Sequence, residues 1–185
     1  MAYNSRPIVK VKDKTFKIFK PYEEIAAAID AVAERIEADY ADKECPLFLG
    51  VLNGSFMFAA ELMQRVSLES EIQFVKLASY SGTSSTGSVS NLIGLKNDIK
   101  GRHVVIVEDI VDTGGSIDHL MKTLAEHEPA SVEVASLLFK PASYTKHYNI
   151  KYPAMEIPND FILGFGLDYD ELGRNLRDIY ILTDE

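Results

Sequence analysis

One cysteine, Cys45, is all the thiol this chain carries, so no internal disulfide can form and a reducing compartment suits it. The chain also lacks any apolar run approaching the ~20 residues of a membrane span. Its first residues, Met-Ala-Tyr-Asn-Ser-Arg, have none of the apolar core a secretory signal needs. Positive charge is scarce: 19 Lys and Arg stand against 28 Asp and Glu, a net charge of −9, which argues against a nucleic-acid-binding surface. His103, His119, His127 and His147 are scattered without the spacing of metal ligands. Internal repeats are missing too. These absences lead us to expect a soluble, cytoplasmic protein with no nucleic-acid or membrane partner. What remains, 46% hydrophobic and 25% charged residues over 185 positions, is ordinary for one globular domain with a substantial core.

The most informative stretch runs from Val104 to Ser116. Val104-Val105-Ile106-Val107 reads as a strand buried on both faces. Glu108, Asp109 and Asp112 follow, and then the turn Thr113-Gly114-Gly115-Ser116. Ile117, Leu120, Met121 and Leu124 fall on one helical stripe directly behind it. Strand, acids, small-residue loop and helix form a sequence with chemical meaning. In an open parallel sheet, ligands sit beyond the carboxyl ends of strands, where loops enter helix N-termini. Glycines let backbone N–H groups approach a phosphate, and the helix start adds unpaired donors and a positive dipole end. Carboxylates beside a phosphate would repel it, unless they hold sugar hydroxyls or a divalent cation. The pattern describes a ribose 5-phosphate site. A strand whose Asp112 merely caps the helix is the plainer alternative.

This stretch resembles the phosphoribosyl-pyrophosphate (PRPP) signature of the type I phosphoribosyltransferases: apolar strand, paired acids, two apolar residues, then Asp-Thr-Gly. The Walker spacing and the dinucleotide Gly-x-Gly-x-x-Gly are both absent from it. The resemblance implies an α/β fold with a central parallel sheet flanked by helices. It implies one domain, 1–185, with a small hood from about 1–20 and 145–185 and a flexible lid at 81–88. Asp112, Thr113, Gly114, Gly115 and Ser116 would bind the 5′-phosphate. Glu108, Asp109 and Asp112 would be catalytic, with Asp112 as general base. Mg²⁺ would be the cofactor, on Glu108, Asp109 and Asp168.

Elsewhere the chain offers matching parts. Ile8–Val11 and Phe16–Phe19 read as strands around a Lys12-Asp13-Lys14 turn, and Pro21 opens a helix with Ile25, Ile29, Val32 and Ile36 on one stripe. Pro46–Leu52 reads as a second buried strand, ending in Asn53-Gly54-Ser55 before an apolar-periodic helix from Phe56 to Val66. That turn is a second candidate anion site. It resembles the family's pyrophosphate loop, Leu52-Asn53-Gly54, in which Leu52–Asn53 can be a cis peptide. Glu71–Tyr80 alternates as a half-exposed strand, and Ser79-Tyr80 before the Ser/Gly/Thr-rich run 81–88 resembles the family's catalytic lid. Val89–Leu95 reads as a return strand. Ser131–Phe139 is another strand, ended by Lys140, which by resemblance would donate to a purine O6.

Tyr144 to Pro158 reads as an irregular connection. In Phe161 to Glu171 the resemblance assigns Phe161 to stack on the base, Ile162 to read its edge and Asp168 to close the run, while Phe165 is core. Arg174 would grip pyrophosphate. Relatives often carry Lys or Arg where this chain has Asn53, and sometimes where it has Gly115, so its phosphate sites would lean on backbone donors and metal. The resemblance thus implies a purine-salvage transferase joining hypoxanthine, and guanine, to PRPP, assembled as a dimer or tetramer. The alternatives are a relative preferring xanthine or a pyrimidine, and a non-catalytic nucleotide- or RNA-binding regulator of the same fold.

Overall fold

The structure, a computed structural model, describes residues 6–77, 92–95 and 98–183. The expected lid, Ser79, Tyr80 and 81–88, lies outside the described residues. The chain enters through a hairpin of β1 (Ile8–Val11) and β2 (Lys14–Lys20), then forms α1 (Tyr22–Tyr40). Next come β3 (Leu47–Leu52), α2 (Phe56–Met63), β4 (Glu71–Leu77) and β5 (Leu92–Ile93). The sequence continues with β6 (His103–Val111), α3 (Gly115–Ala125), β7 (Ser131–Phe139) and β8 (Tyr152–Glu156). The short strands β9 (Ile162–Leu163) and β10 (Ile179–Leu182) end it.

Two sheets result. The larger has the order β5-β4-β3-β6-β7-β8. Five of its strands are parallel, and β5 pairs antiparallel at the edge. Its central strands are apolar on both sides because both faces are covered. Phe48, Val105 and Val107 face the layer of α1 and α2, whereas Leu47, Leu49, Val104 and Ile106 face the layer of α3. The α1 stripe of Ile25, Ile29, Val32 and Ile36 is fully buried, each side chain contributing about 1.5–3 kcal/mol by transfer from water. The smaller sheet, antiparallel in the order β1-β2-β10-β9, joins the two ends of the chain around Val9, Phe16, Leu163 and Tyr180.

Two expectations are corrected. The segment 144–158 is not wholly irregular, because Tyr152–Glu156 pairs parallel with β7 and closes one edge of the larger sheet. It therefore belongs to that sheet rather than to the terminal layer. Pro153 disguises it in the sequence but is tolerated on an edge strand, where its missing N–H costs no ladder bond. Arg35 of α1 donates to the Pro153 carbonyl at 2.8 Å and Tyr152 donates to Asp39 at 2.8 Å, tying the strand to the helix. The apolar-periodic helix is also shorter than expected, ending at Met63.

Candidate active site

The strand β6 runs on through Glu108 and Asp109 and ends at Val111, just before Asp112. Alternation along β6 sends Glu108 toward the α3 side, with Val104 and Ile106, and Asp109 toward the α1 side, with Val105 and Val107. The ladder with β7 passes over Asp109, and beyond it Ile110 packs in the α1 layer and Val111 in the α3 layer. Pairing with β7 keeps one register on either side of Asp109, and the two acids leave opposite faces of the strand, Glu108 into the pocket before α3 and Asp109 toward the loop after β3.

On the α3 side Glu108, Val111 and residues 112–117 line a pocket of ≈ 330 Å³. Gly114 stands at the helix N-cap with φ 84°, and no side chain caps the helix. Asp112 is therefore not its cap. Among the described residues, the N–H groups of Thr113, Gly114, Gly115 and Ser116 meet no protein acceptor, which leaves unpaired donors at the positive end of α3. Gly114 is closed in from behind by Tyr144 and Lys146. The Thr113 carbonyl accepts both the backbone N–H and the hydroxyl of Thr145, at 3.3 and 3.2 Å. A Cβ at Gly115, in contrast, would meet nothing nearer than Thr113 Oγ1 at 3.9 Å.

Lys140, the first residue after β7, is buried, and its Nζ lies 3.2 Å from Asp112 Oδ2. Its backbone N–H donates to the Val111 carbonyl, so adjacent strand ends bring the two side chains together. Glu108 and Asp109 have no such partner: no Lys or Arg pairs with either among the described residues. Burial pushes the Glu108 carboxyl well above its ordinary range, with the neighbouring Asp109 charge adding to the effect. Burial likewise pushes Asp109 up to about 6, against the opposing N–H of Ile110. Glu108 Oε2 is buried without a hydrogen-bond partner.

Two dehydrated carboxylates with an orphaned oxygen fit a cation or polyol brought by a ligand. No cluster of three or more His, Cys, Asp or Glu could by itself cage a metal among the described residues. A divalent ion here would complete its shell with water and substrate oxygens, as Mg²⁺ commonly does.

The loop after β3 approaches the same acids from the α1 side. Its Leu52–Asn53 peptide is cis. Gly54 packs so closely on the Asp109 carboxylate that a Cβ there would overlap it, and the Gly54 carbonyl in turn packs on Gly166. Ser55 is fully buried, its hydroxyl without a partner.

Gly166 belongs to the return between β9 and β10, where most of the remaining candidates meet. Arg174 donates to the Gly166 carbonyl at 2.9 Å and pairs with Asp168 at 2.8 Å and Glu171 at 3.1 Å. Phe161 is 45% exposed, Ile162 is buried in β9, and Phe165 is fully buried in the core. Beneath Phe161 lie Phe16, at 6.1 Å between ring centroids, and Tyr169, edge-on at 5.7 Å and 90°.

The structure thus gathers Glu108, Asp109, Asp112–Ser116 and Lys140 at one end of the central strands, with Leu52–Gly54 against Asp109 and Asp168–Arg174 joined through Gly166. The Gly54–Gly166 contact and the place of Tyr169 escaped the sequence reading. Each is a meeting of segments far apart in the chain, for which local pattern carries no signal. A larger depression of ≈ 450 Å³, lined by Cys45, Arg102 and His103 among others, lies at the opposite end of the strands, away from these groups. No described helix is long and apolar enough to cross a membrane.

Comparison with known proteins agrees on a single family. The model of the phosphoribosyl transferase domain matches residues 17–170. The chain is 39% identical over 170 residues to the hypoxanthine-guanine phosphoribosyltransferase of Streptococcus pneumoniae, covering 91% of this chain and 94% of that one. Identity to the enzyme of the same name from Lactococcus lactis is also 39%, covering 91% and 92%. Among solved structures it is similar to the hypoxanthine phosphoribosyltransferase of Trypanosoma cruzi, with a TM-score of 0.81, 35% identity and coverage of 91% and 97%. The Leishmania tarentolae enzyme, solved in complex with GMP, gives a TM-score of 0.79 at 30% identity, covering 91% and 97%.

Proposed function

The chain belongs to the phosphoribosyl transferase family, and from that premise we propose that it transfers the phosphoribosyl group of PRPP to hypoxanthine and guanine, releasing pyrophosphate. It is an enzyme of purine salvage. The observation that carries the site assignment is the uncapped, glycine-lined start of α3 beside two buried carboxylates that form no ion pair among the described residues.

The free N–H groups of Thr113–Ser116 hold the 5′-phosphate, so that binding energy remote from the reacting carbon positions C1 of the sugar. Glu108 and Asp109 accept hydrogen bonds from the ribose hydroxyls. Phe161 supplies the flat apolar face for the base, Ile162 reads its edge through the backbone, and Lys140 donates to the purine O6. Purine N9 attacks C1 as the C1–O bond to pyrophosphate breaks. The bond electrons leave with pyrophosphate, which Arg174 and the Leu52–Gly54 loop receive. Asp112, standing between the phosphate loop and Lys140, accepts the proton released from the purine through N7. Glu108, Asp109 and Asp168 are the residues that would hold Mg²⁺, which when bound would supply charge stabilisation for the departing pyrophosphate.

A cytoplasmic setting suits the single thiol. Exposed Phe56, Ile72 and Phe74 offer an apolar face for self-association into the expected dimer or tetramer.

The test is pyrophosphate release measured with hypoxanthine, guanine, xanthine and a pyrimidine, with Mg²⁺ and with excess chelator. Metal-dependent release with the first two, yielding the nucleoside 5′-monophosphates, is expected. Preference for a pyrimidine, or full activity in chelator, would overturn the substrate or cofactor assignment respectively.

A further inference from the structure

Phe161 is half in solvent, and a stacking platform works best when its ring plane is fixed before the base arrives, because ordering a free side chain on binding weakens affinity. The fixing contact comes from Tyr169. Its ring edge meets Phe161 at 90° and 5.7 Å, and Phe16 of β2 touches both rings, at 6.1 and 6.4 Å. Tyr169 is in turn held from outside the site. Its hydroxyl donates to Asp13 Oδ1 at 2.8 Å, in the turn joining β1 to β2. The adjacent Lys12 pairs with Asp170 at 2.8 Å, and Lys14 Nζ lies 5.6 Å from the Tyr169 ring centroid. The tip of the terminal hairpin, residues 12–14, is thereby stapled to the tight turn 169–172, in which the N–H groups of Tyr169 and Leu172 donate to each other's carbonyls.

We infer that Tyr169, anchored by Asp13, is a positioning residue that sets the Phe161 ring for the purine, so that the β1–β2 turn tunes affinity for the base. This rests on Phe161 being the base platform. Tyr169 touches no reacting atom; its effect passes through the Phe161 ring. The hydrogen bond to Asp13 raises the Tyr169 hydroxyl above its ordinary range and holds the Asp13 carboxyl below its own.

The experiment compares full-length Tyr169→Leu, Tyr169→Phe, Asp13→Asn and Phe161→Ala with the parent enzyme, under Mg²⁺. It reads the KM for hypoxanthine, the KM for PRPP, kcat and the melting temperature. Losing an edge-to-face aromatic contact corresponds to roughly a two- to tenfold change. Tyr169→Leu should therefore raise the hypoxanthine KM by that factor and leave the PRPP KM within about twofold. Tyr169→Phe, which keeps the ring and loses the anchor, and Asp13→Asn should both give smaller rises of the same selectivity. They also carry the test if Tyr169→Leu folds poorly. Equal rises in both KM values, or an unchanged hypoxanthine KM in all three variants while Phe161→Ala raises it, would overturn the inference alone. If Phe161→Ala itself leaves the hypoxanthine KM unchanged, the platform reading and the inference fall together.

Discussion

Gly54 lies between the Asp109 carboxylate and the backbone of Gly166, and the substitution Gly54→Ala measures what that close packing is worth to turnover. A methyl group at residue 54 would overlap Asp109 Cγ and Oδ2 and lie 3.1 Å from Oδ1. Something has to move. The loop cannot withdraw, because the Gly54 carbonyl already packs on Gly166 so tightly that Gly166 has no room for a Cβ of its own. The carboxylate cannot turn freely either, since Oδ1 accepts the Ile110 N–H at 2.9 Å. The cheaper response is displacement of Asp109 by roughly 1 Å, and a misplacement of that size at a reacting centre costs on the order of 10²-fold in rate.

The expected result is a fall of about two decades in kcat/KM for PRPP, with the hypoxanthine KM changed by no more than about threefold. Breaking the bond to Ile110 should cost about 1.5–3 kcal/mol as well, a lowering of the melting temperature by roughly 3–12 °C for a chain of this size. Initial rates of pyrophosphate release and thermal melts read both quantities. A double-mutant cycle makes the reasoning refutable: in an Asp109→Ala background the methyl meets no carboxylate, so Gly54→Ala should add little further loss. If Gly54→Ala keeps more than about a third of the parent kcat/KM, or costs as much with Asp109 removed, the steric account is wrong.

Other variants probe neighbouring parts of the fold. Asp112→Asn should lower kcat by about 10²–10⁴-fold, the range expected for a general base, while PRPP binding measured by calorimetry stays close to that of the parent; equal losses in both would remove Asp112 from that role. Asp109, raised by burial to about 6, keeps its proton in the folded state over a range where the unfolded chain has released it. It therefore destabilises the ligand-free protein by up to about 3 kcal/mol above pH ~6, a penalty that shrinks on acidification and is gone below pH ~4. Melts in chelator should show Asp109→Asn more stable at pH ~7.5 and no different near pH ~4; a gain independent of pH would contradict this. Asp178, almost fully buried, accepts the Tyr22 N–H at 2.8 Å at the start of α1, where Pro21 offers no side-chain cap. Asp178→Ala should cost about 1–2 kcal/mol in urea unfolding and Asp178→Asn much less. Equal losses would show that the cap is not what Asp178 provides.

How much could be read from the chain follows from where each interaction lies. The β6–loop–α3 unit was legible because strand, acids, loop and helix are contiguous, and the apolar stripe of Ile117, Leu120 and Leu124 is buried as its spacing requires. α1 and β7 were legible for the same reason. β8 was not, because an edge strand is chosen by the partner it finds, and Pro153 removes the propensity signal that would have marked it. Glu108 and Asp109 were expected beyond the strand and stand within it, since pairing of Ile110 and Val111 with Leu138 and Phe139 carries the ladder past them, whereas Asp112 follows the strand as expected. The contacts among Gly54, Asp109 and Gly166, and between Tyr169 and Asp13, depend on segments more than fifty residues apart. Residue type gives no hint of such meetings until a fold brings them about.

The negative net charge sharpens the question of how such a site attracts polyanions. Lys140 and Arg174 both stand in it, but each is already matched by acids, Lys140 by Asp112 and Arg174 by Asp168 and Glu171. Glu108 and Asp109 add two buried carboxyls without a direct ion pair among the described residues, Arg174 acting on Asp109 only from a distance. Side chains alone therefore leave the proposed site without a spare cation among the described residues, and Asn53 and Gly115 add none. In the proposed site the remaining attraction would come from oriented backbone N–H groups at the start of α3 and from a divalent ion carried in with the substrate. On that account the raised carboxyls are part of the binding equilibrium: a cation or sugar diol that replaces their lost water also recovers the free energy their burial cost, which ties affinity for PRPP to the metal more steeply than a cation-lined pocket would.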